Sequence, residues 1–344
     1  MMIIKTPSDG YATEHIDYCP ICMSKNTKHI FDKYCDPYAK CQACGAIYLE
    51  NRPDPLKISE FYSEIGETYQ SQFFKIVGQD NIPNFWKKYF ASIDEFRPNG
   101  NRHLDVGCGV GECLQVAKYY GWNSTGQELG KSAAQIVTER LEMQVFTENI
   151  KKLPIDYESI DLITINAVLE HVSNPNEFFQ SATRYLRPGG ILVVLVPSVH
   201  FLGYKLFGKT WHMIHSCHLN YFSKVSLSQL MTANNIDVYK SYSAGGGNQG
   251  HRIAMNMCRT DIAWTIFSII SGCRKSDWNS DKPLGWFSNS HELLKDPRIV
   301  LRNKSDKLIK KTRVMWDAIG YPIHRMTIAM DMQQSILMFG RKNT

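Results

Sequence analysis

The run His103-Leu104-Asp105-Val106-Gly107-Cys108-Gly109-Val110-Gly111-Glu112 constrains this chain more than any other. An apolar strand that enters a Gly-x-Gly-x-Gly turn and then opens a helix fits few architectures. Glycine lets the backbone turn sharply and lets a ligand approach it closely. The helix N-terminus that follows adds partial positive charge. A glycine-rich turn alone is a weak signal, so its context decides. Here the context continues the pattern. Strands are predicted at 102–106, 124–127, 144–147, 160–166 and 191–196, and helices at 111–120, 131–140 and 175–185, the last opening after Asn174. A turn is read at Arg187-Pro188-Gly189-Gly190. Strands alternating with helices imply a parallel sheet covered on both faces.

The flanks are less regular. Phe61-Tyr62, Tyr69, Phe73-Phe74 and Phe85-Trp86 recur at roughly helical spacing between Arg52 and Pro98, which predicts one or two amphipathic helices. Beyond the sheet, 226–234 reads as a helix and 236–243 as a strand, 260–271 and 299–316 as helices, and 335–340 as a closing strand. If that last strand joins the main sheet, residues 244–332 form an insertion before it. Four regions follow: 1–52, 53–98 as a helical segment, 99–243 as the α/β core, and 244–344 as a helical lid or insertion plus the final strand.

Residues 1–52 contain Cys19-Pro20-Ile21-Cys22 and Cys41-Gln42-Ala43-Cys44-Gly45, two Cys-x-x-Cys pairs with 18 residues between them. Zinc favours four tetrahedral thiolates, and each such turn aims two sulfurs at one metal. The spacing predicts a structural zinc ribbon with Cys19, Cys22, Cys41 and Cys44 as ligands. With four protein ligands, no coordination position is left open for catalysis. Cys35 lies between the pairs and matches neither.

Composition bounds the rest. Of 344 residues, 43% are hydrophobic and 21% charged, enough for a sizeable packed core. The net charge of +6 suits an anionic acceptor without demanding nucleic acid. Met1–Gly10 lacks the apolar run of a leader, and no stretch approaches the ~20 residues of a membrane span. These features predict a cytoplasmic protein, where ten cysteines serve as thiols or metal ligands rather than disulfides.

The order of these pieces resembles the class I S-adenosylmethionine-dependent methyltransferases. The resemblance rests on Leu104–Gly111, on Glu128 at the end of the second strand, on Leu153-Pro154, and on Asp161–Asn166 with Leu169-Glu170-His171. It continues through Leu186–Gly190, Pro197 and the run His218-Leu219-Asn220-Tyr221-Phe222-Ser223, and closes with Ile336–Lys342. It implies an α/β, Rossmann-like seven-stranded sheet with helices on both faces, bearing the zinc ribbon at one end and a helical insertion before the last strand. It implies S-adenosylmethionine as cofactor. Asp105, Gly107, Cys108, Gly109 and Gly111 would form its glycine loop, with the glycines facing the methionyl part and ribose. Glu128 would take the ribose hydroxyls, Asn149 and Ile150 would flank the adenine, and Asn166 and Ala167 would line the methionine side. Tyr62 and Tyr69 would cover the cofactor.

The ribbon narrows the likeness to the branch found with sugar and surface-polysaccharide biosynthesis, including sugar C-methyltransferases. In that branch a His-Glu-His-x-x-Tyr-Phe-Ser-like run supplies catalytic residues. Here the Glu position is Cys217, which favours O- or N-methylation with a single histidine base. His218 is the first choice for that base, His215 the second and His171 the third, with His212 also near. The acceptor implied is a small molecule or glycan: a sugar, nucleotide sugar or polysaccharide precursor. Two alternatives stand beside it. One is an RNA methyltransferase gripping its substrate with the ribbon and the basic run Arg298–Arg313, to be recognised by steeply salt-dependent RNA retention. The other is a non-catalytic protein that keeps the fold, to be recognised by failure to bind S-adenosylmethionine. Oligomeric state is not legible in the sequence.

Overall fold

The computed structural model describes residues 13–33, 36–54, 84–200, 204–205, 208–210, 214, 218–244 and 335–343. The basic run, the helices expected at 260–271 and 299–316, Cys35, Tyr62, Tyr69, His212 and His215 lie outside them.

The N-terminal unit contains β1 (Thr13–His15), β2 (Thr27–Lys33), β3 (Asp36–Cys41), β4 (Ile47–Leu49) and β5 (Asn51–Pro53). β1 pairs with β5, and β2, β3 and β4 form an antiparallel sheet. One cysteine pair lies in the turn after β1, and the other runs from the last residue of β3, Cys41, into the turn that follows. Gly45 closes the second turn with φ +74, a left-handed conformation that favours glycine, and its N–H donates to the Cys41 carbonyl at 3.0 Å.

The core is a seven-stranded mixed sheet in the order β12-β13-β10-β9-β6-β7-β8. Its strands are β6 (Arg102–Val106), β7 (Asn123–Gln127), β8 (Val145–Phe146), β9 (Ile160–Asn166), β10 (Leu186–Pro197), β12 (Ile236–Ala244) and β13 (Ser335–Lys342). β6 to β10 run parallel, while β13 inserts antiparallel between β10 and β12. The closing strand therefore does join the sheet. Chain order reverses between β6 and β9, and ligands of open α/β sheets collect at such a crevice.

Helices α1 (Asn84–Asp94), α2 (Glu112–Tyr119), α3 (Lys131–Leu141), α4 (Pro175–Thr183) and α5 (Lys224–Ala233) surround the sheet. Side chains alternate along each strand, so the apolar runs of β9 and β10 feed two cores. Leu162, Ile191 and Val193 pack with Tyr89 and Phe90 of α1 and Val116 of α2. Ile163, Ile165, Leu192 and Val194 pack with Phe179 of α4 and Leu230 of α5. That second core also includes Ile21, Cys41, Cys44 and Tyr48, so the cysteine unit shares the apolar interior of the sheet.

Two details depart from expectation. Arg187-Pro188-Gly189-Gly190 is an irregularity inside β10, where the register against β9 shifts between Leu186 and Ile191 and Gly189 has φ +74. A two-residue strand, β11 (Asn220–Tyr221), leaves the core chain and pairs antiparallel with β4. Two residues carry no period, so no alternation announced it.

Candidate active site

The glycine turn ends β6 at the crevice. Gly107, Gly109 and Gly111 have φ of +71, +52 and +83. Their surroundings differ. A side chain on Gly107 would meet Val168 at 2.4 Å, and one on Gly111 would meet Leu141 and Val137 of α3 at 2.8 and 2.9 Å. One on Gly109 would meet nothing within 4 Å. Two of the glycines thus permit packing, and the middle one borders open space. Cys108 is buried between them, close to Gly126 of β7.

Glu128 follows β7. It accepts hydrogen bonds from Gly109 N at 2.9 Å and Gly130 N at 2.8 Å. Burial raises its pKa and the backbone donors oppose that shift. The carboxylate therefore ties the glycine loop to the start of α3. Asn149 is exposed and caps a short helical turn by accepting from Lys151 N, while Ile150 is buried in the core beside it. Ala167 is exposed at the end of β9 with φ +54, an uncommon conformation for a residue with a side chain. Asn166 precedes it and accepts from Tyr89 Oη at 2.9 Å.

Asp105 lies beneath the loop rather than in the open crevice. It is buried and accepts from Thr164 Oγ1 at 2.6 Å and Asn166 Nδ2 at 3.4 Å. His103 Nε2 is hydrogen-bonded to Thr164 Oγ1 at 2.8 Å and its Nδ1 to Ser124 Oγ at 2.9 Å, which extends the chain from Asp105. Burial lowers His103 to about 3 and raises Asp105 to about 7. The stability contributions of the two have opposite signs. His103 stabilises above its unfolded value of 6.5 and loses this as pH falls toward 3. Asp105 stabilises below 3.8 and loses this as pH rises toward 7. Between about 4 and 6.5 the two slopes cancel. Replacing His103 by Asn should unmask Asp105: relative to wild type, stability should fall by roughly 1.4 kcal/mol per pH unit across that window. Denaturant titrations at several pH values read this directly, and equal slopes for the two proteins would refute the pairing.

Past β9, Glu170, His171 and His218 converge, with one carboxylate oxygen and two ring nitrogens within 4.8 Å of one another. The imidazoles of His171 and His218 meet edge to face at 4.7 Å between centroids. His171 Nε2 is 4.0 Å from Glu170 Oε1. Glu170 is 2% exposed, its Oε2 has no hydrogen-bond partner among the described residues, and burial pushes its pKa to about 8. Ligand atoms around one zinc at 2.0–2.1 Å would stand about 3.3 Å apart. Glu170 Oε1 and His171 Nε2, 4.0 Å apart, stand wider than that. Sequence reasoning quoted Glu170 without giving it a role, since only the fold shows that it is buried against two histidines.

Cys19, Cys22, Cys41 and Cys44 form a separate cluster, with Cys19 and Cys44 sulfurs 3.7 Å apart and Cys22 and Cys41 sulfurs 3.5 Å apart. Tetrahedral zinc with bonds of about 2.3 Å holds sulfurs about 3.8 Å apart, so these residues fit it. The hydrogen bond from Cys44 draws Cys19 down to about 6. Arg52 supports the same assignment. Its guanidinium is buried, its Nε and Nη1 lack hydrogen-bond partners among the described residues, and burial lowers its pKa to about 10 against the opposing charge of Cys19. Four thiolates around a divalent ion leave the net negative charge that such a cation balances.

Residues 79–241 match the family described as methyltransferase domain. The chain carries a class I S-adenosylmethionine-dependent methyltransferase domain. Curated relatives of this domain include a ubiquinone biosynthesis O-methyltransferase of Coxiella burnetii, 29% identical over 110 residues, which cover 30% of this chain and 47% of that protein. Another is an uncharacterized 37.1 kDa protein in a Streptomyces fradiae transposon, 25% identical over 187 residues, covering 52% of this chain and 48% of that protein. The chain spans about half the length of these relatives. The methyltransferase domain also shares its fold with Haemonchus contortus phospholethanolamine N-methyltransferase 2, at a TM-score of 0.52 and 18% identity, covering 87% of this chain and 63% of that one. Among the described residues no helix is long and apolar enough to cross a membrane.

S-adenosylmethionine fits this methyltransferase domain on the geometry of the loop itself, because the one glycine bordering open space lies between two that are closely packed. Replacing Gly109 by Val should abolish cofactor binding by filling that space. Replacing Glu128 by Ala should weaken binding by about 1.5–3 kcal/mol, the range for hydrogen bonds to charged groups. Calorimetric affinities that stay at wild-type values in both variants would remove the cofactor from this loop.

Proposed function

We propose that the whole chain methylates an oxygen or nitrogen of a small-molecule or glycan acceptor, a sugar, nucleotide sugar or surface-polysaccharide precursor, with His218 as general base. The observation that carries this reading is a juxtaposition. The open face of the glycine loop at β6 and the Glu170–His171–His218 group after β9 lie past the carboxyl ends of neighbouring parallel strands. That crevice is where ligands of such sheets bind.

S-adenosylmethionine supplies a methyl group already activated on a sulfonium. The protein then needs to align the acceptor and take up its proton as the new bond forms. Histidine, with an ordinary pKa near ~6.5, suits that task. His218 is buried against His171, and burial raises the neighbouring Glu170 to about 8, which favours its neutral form. Asp105, Thr164 and Asn166 brace the floor beneath the glycine loop. Glu128 holds the loop from the side until ribose hydroxyls compete for its oxygens. Asn149 and Ile150 flank the adenine, and Asn166 and Ala167 line the methionine end. The division of the chain into 1–52, 53–98, 99–243 and 244–344 belongs to the same proposal, with 55–83 and 245–334 outside the described residues.

The test is mass spectrometry of candidate nucleotide sugars and glycans incubated with the protein and isotope-labelled S-adenosylmethionine. Label on a sugar oxygen or nitrogen supports the proposal. Label on carbon, or on RNA alone, replaces it.

A further inference from the structure

We propose that the four-cysteine metal unit belongs to the catalytic scaffold, and that Asn220 is the positioning residue through which it sets His218 against Glu170 and His171. The inference rests on the reading of His218 as the base.

Asn220 is fully buried and its side chain faces two ways. Its Oδ1 accepts from Arg52 Nη2 at 2.7 Å, on the cysteine unit. Its Nδ2 donates to the carbonyls of Leu169 at 2.9 Å and Val172 at 2.8 Å. Those two residues bracket Glu170 and His171. The backbone repeats the grip, since Leu219 N and Asn220 N both donate to the Glu170 carbonyl, at 2.6 and 3.1 Å. His218 is thus the residue immediately before a segment clamped to the loop that carries its two neighbours.

The other edge of that segment belongs to the metal unit. β11 pairs with β4, Leu49 N donates to the Leu219 carbonyl at 3.0 Å, and Ser223 Oγ donates to the Cys44 carbonyl at 2.6 Å. Cys44 is one of the four thiols. Arg52, which follows β4 and lies in β5 of the same unit, reaches Asn220 directly. The cysteine unit shares one apolar interior with the sheet, and Tyr38, Ile47 and Leu49 pack on its other side against Leu219 and Tyr221. Without metal, β4 and β11 would keep their backbone bonds and the packing of Ile47 and Leu49 with Leu219 and Tyr221, but no ion would fix the turn whose Cys44 carbonyl holds Ser223. A carboxamide both accepts and donates, as this position requires. Aspartate would keep the Arg52 bond and lose both bonds to the loop.

The test uses the full-length, zinc-loaded protein. Three properties of Asn220→Asp are compared with wild type: zinc stoichiometry, S-adenosylmethionine affinity, and the His218 imidazole resonance, assigned by its absence from His218→Ala. We expect unchanged zinc, cofactor affinity within about twofold, and a displaced His218 resonance. In wild type treated with chelator, amides of residues 219–222 should lose protection from hydrogen exchange roughly tenfold, as when a local hydrogen bond opens, while 162–166 keep theirs. An unmoved resonance in the variant, or undiminished protection at 219–222 without metal, overturns the proposal. So does loss of protection through 162–166, because the metal would then hold the whole fold rather than the site. Absence of cofactor binding in wild type would count against the functional reading instead. The chelation arm stands even if the variant fails to fold.

Discussion

Gently purified protein should contain one zinc per chain, and replacing Cys41 and Cys44 together by Ser should remove it. The expected effect is large: structural zinc sites of this kind bind with an apparent free energy on the order of 10 kcal/mol or more at neutral pH. Three of the four cysteines are buried, with sulfurs spaced as zinc would space them. Losing the metal would leave these thiols and the buried Arg52 guanidinium without their counterpart, and burying an uncompensated charge is costly. The loss should spread to the apolar cluster that Ile21, Cys41, Cys44 and Tyr48 share with Leu169 and Phe222. Elemental analysis and thermal melts of the double variant check both expectations. Native protein without stoichiometric metal would refute the assignment.

Replacing His218 by Ala should lower turnover about 10²–10⁴-fold, the usual contribution of a positioned general base, while cofactor affinity stays near wild type. The wild-type rate should fall at pH below the pKa of the base, since only the neutral imidazole accepts a proton, and that limb should vanish in the variant. His171 lies against the same imidazole, so a smaller effect of His171→Ala would mark it as a neighbour rather than the base. His215, the second sequence candidate, lies outside the described residues, and His215→Ala belongs in the same series. Full activity of His218→Ala would transfer the role to one of these two.

Local chemistry determined much of this protein from the sequence alone. The strand–glycine–helix run around Gly107–Gly111 and the apolar alternation through Pro197 specify a covered α/β sheet, because strand period and glycine freedom act over a few neighbouring residues. The Cys-x-x-Cys spacing picks out, for the same reason, the four cysteines that the fold brings together. What the sequence left open depends on residues far apart in the chain. β13 fits antiparallel between β10 and β12, a choice made by packing rather than by any pattern within Ser335–Lys342. Asp105 reads as a ligand contact in its motif, yet the fold buries it under Thr164 and Asn166, 59 and 61 residues away in sequence. Glu170 becomes chemically notable only when β11 carries His218 beside it, and Arg52 only when Asn220, 168 residues further on, reaches it. Such groups owe their properties to desolvation and to partners brought from elsewhere in the chain. Neither exists until the sheet and the cysteine unit have closed around them.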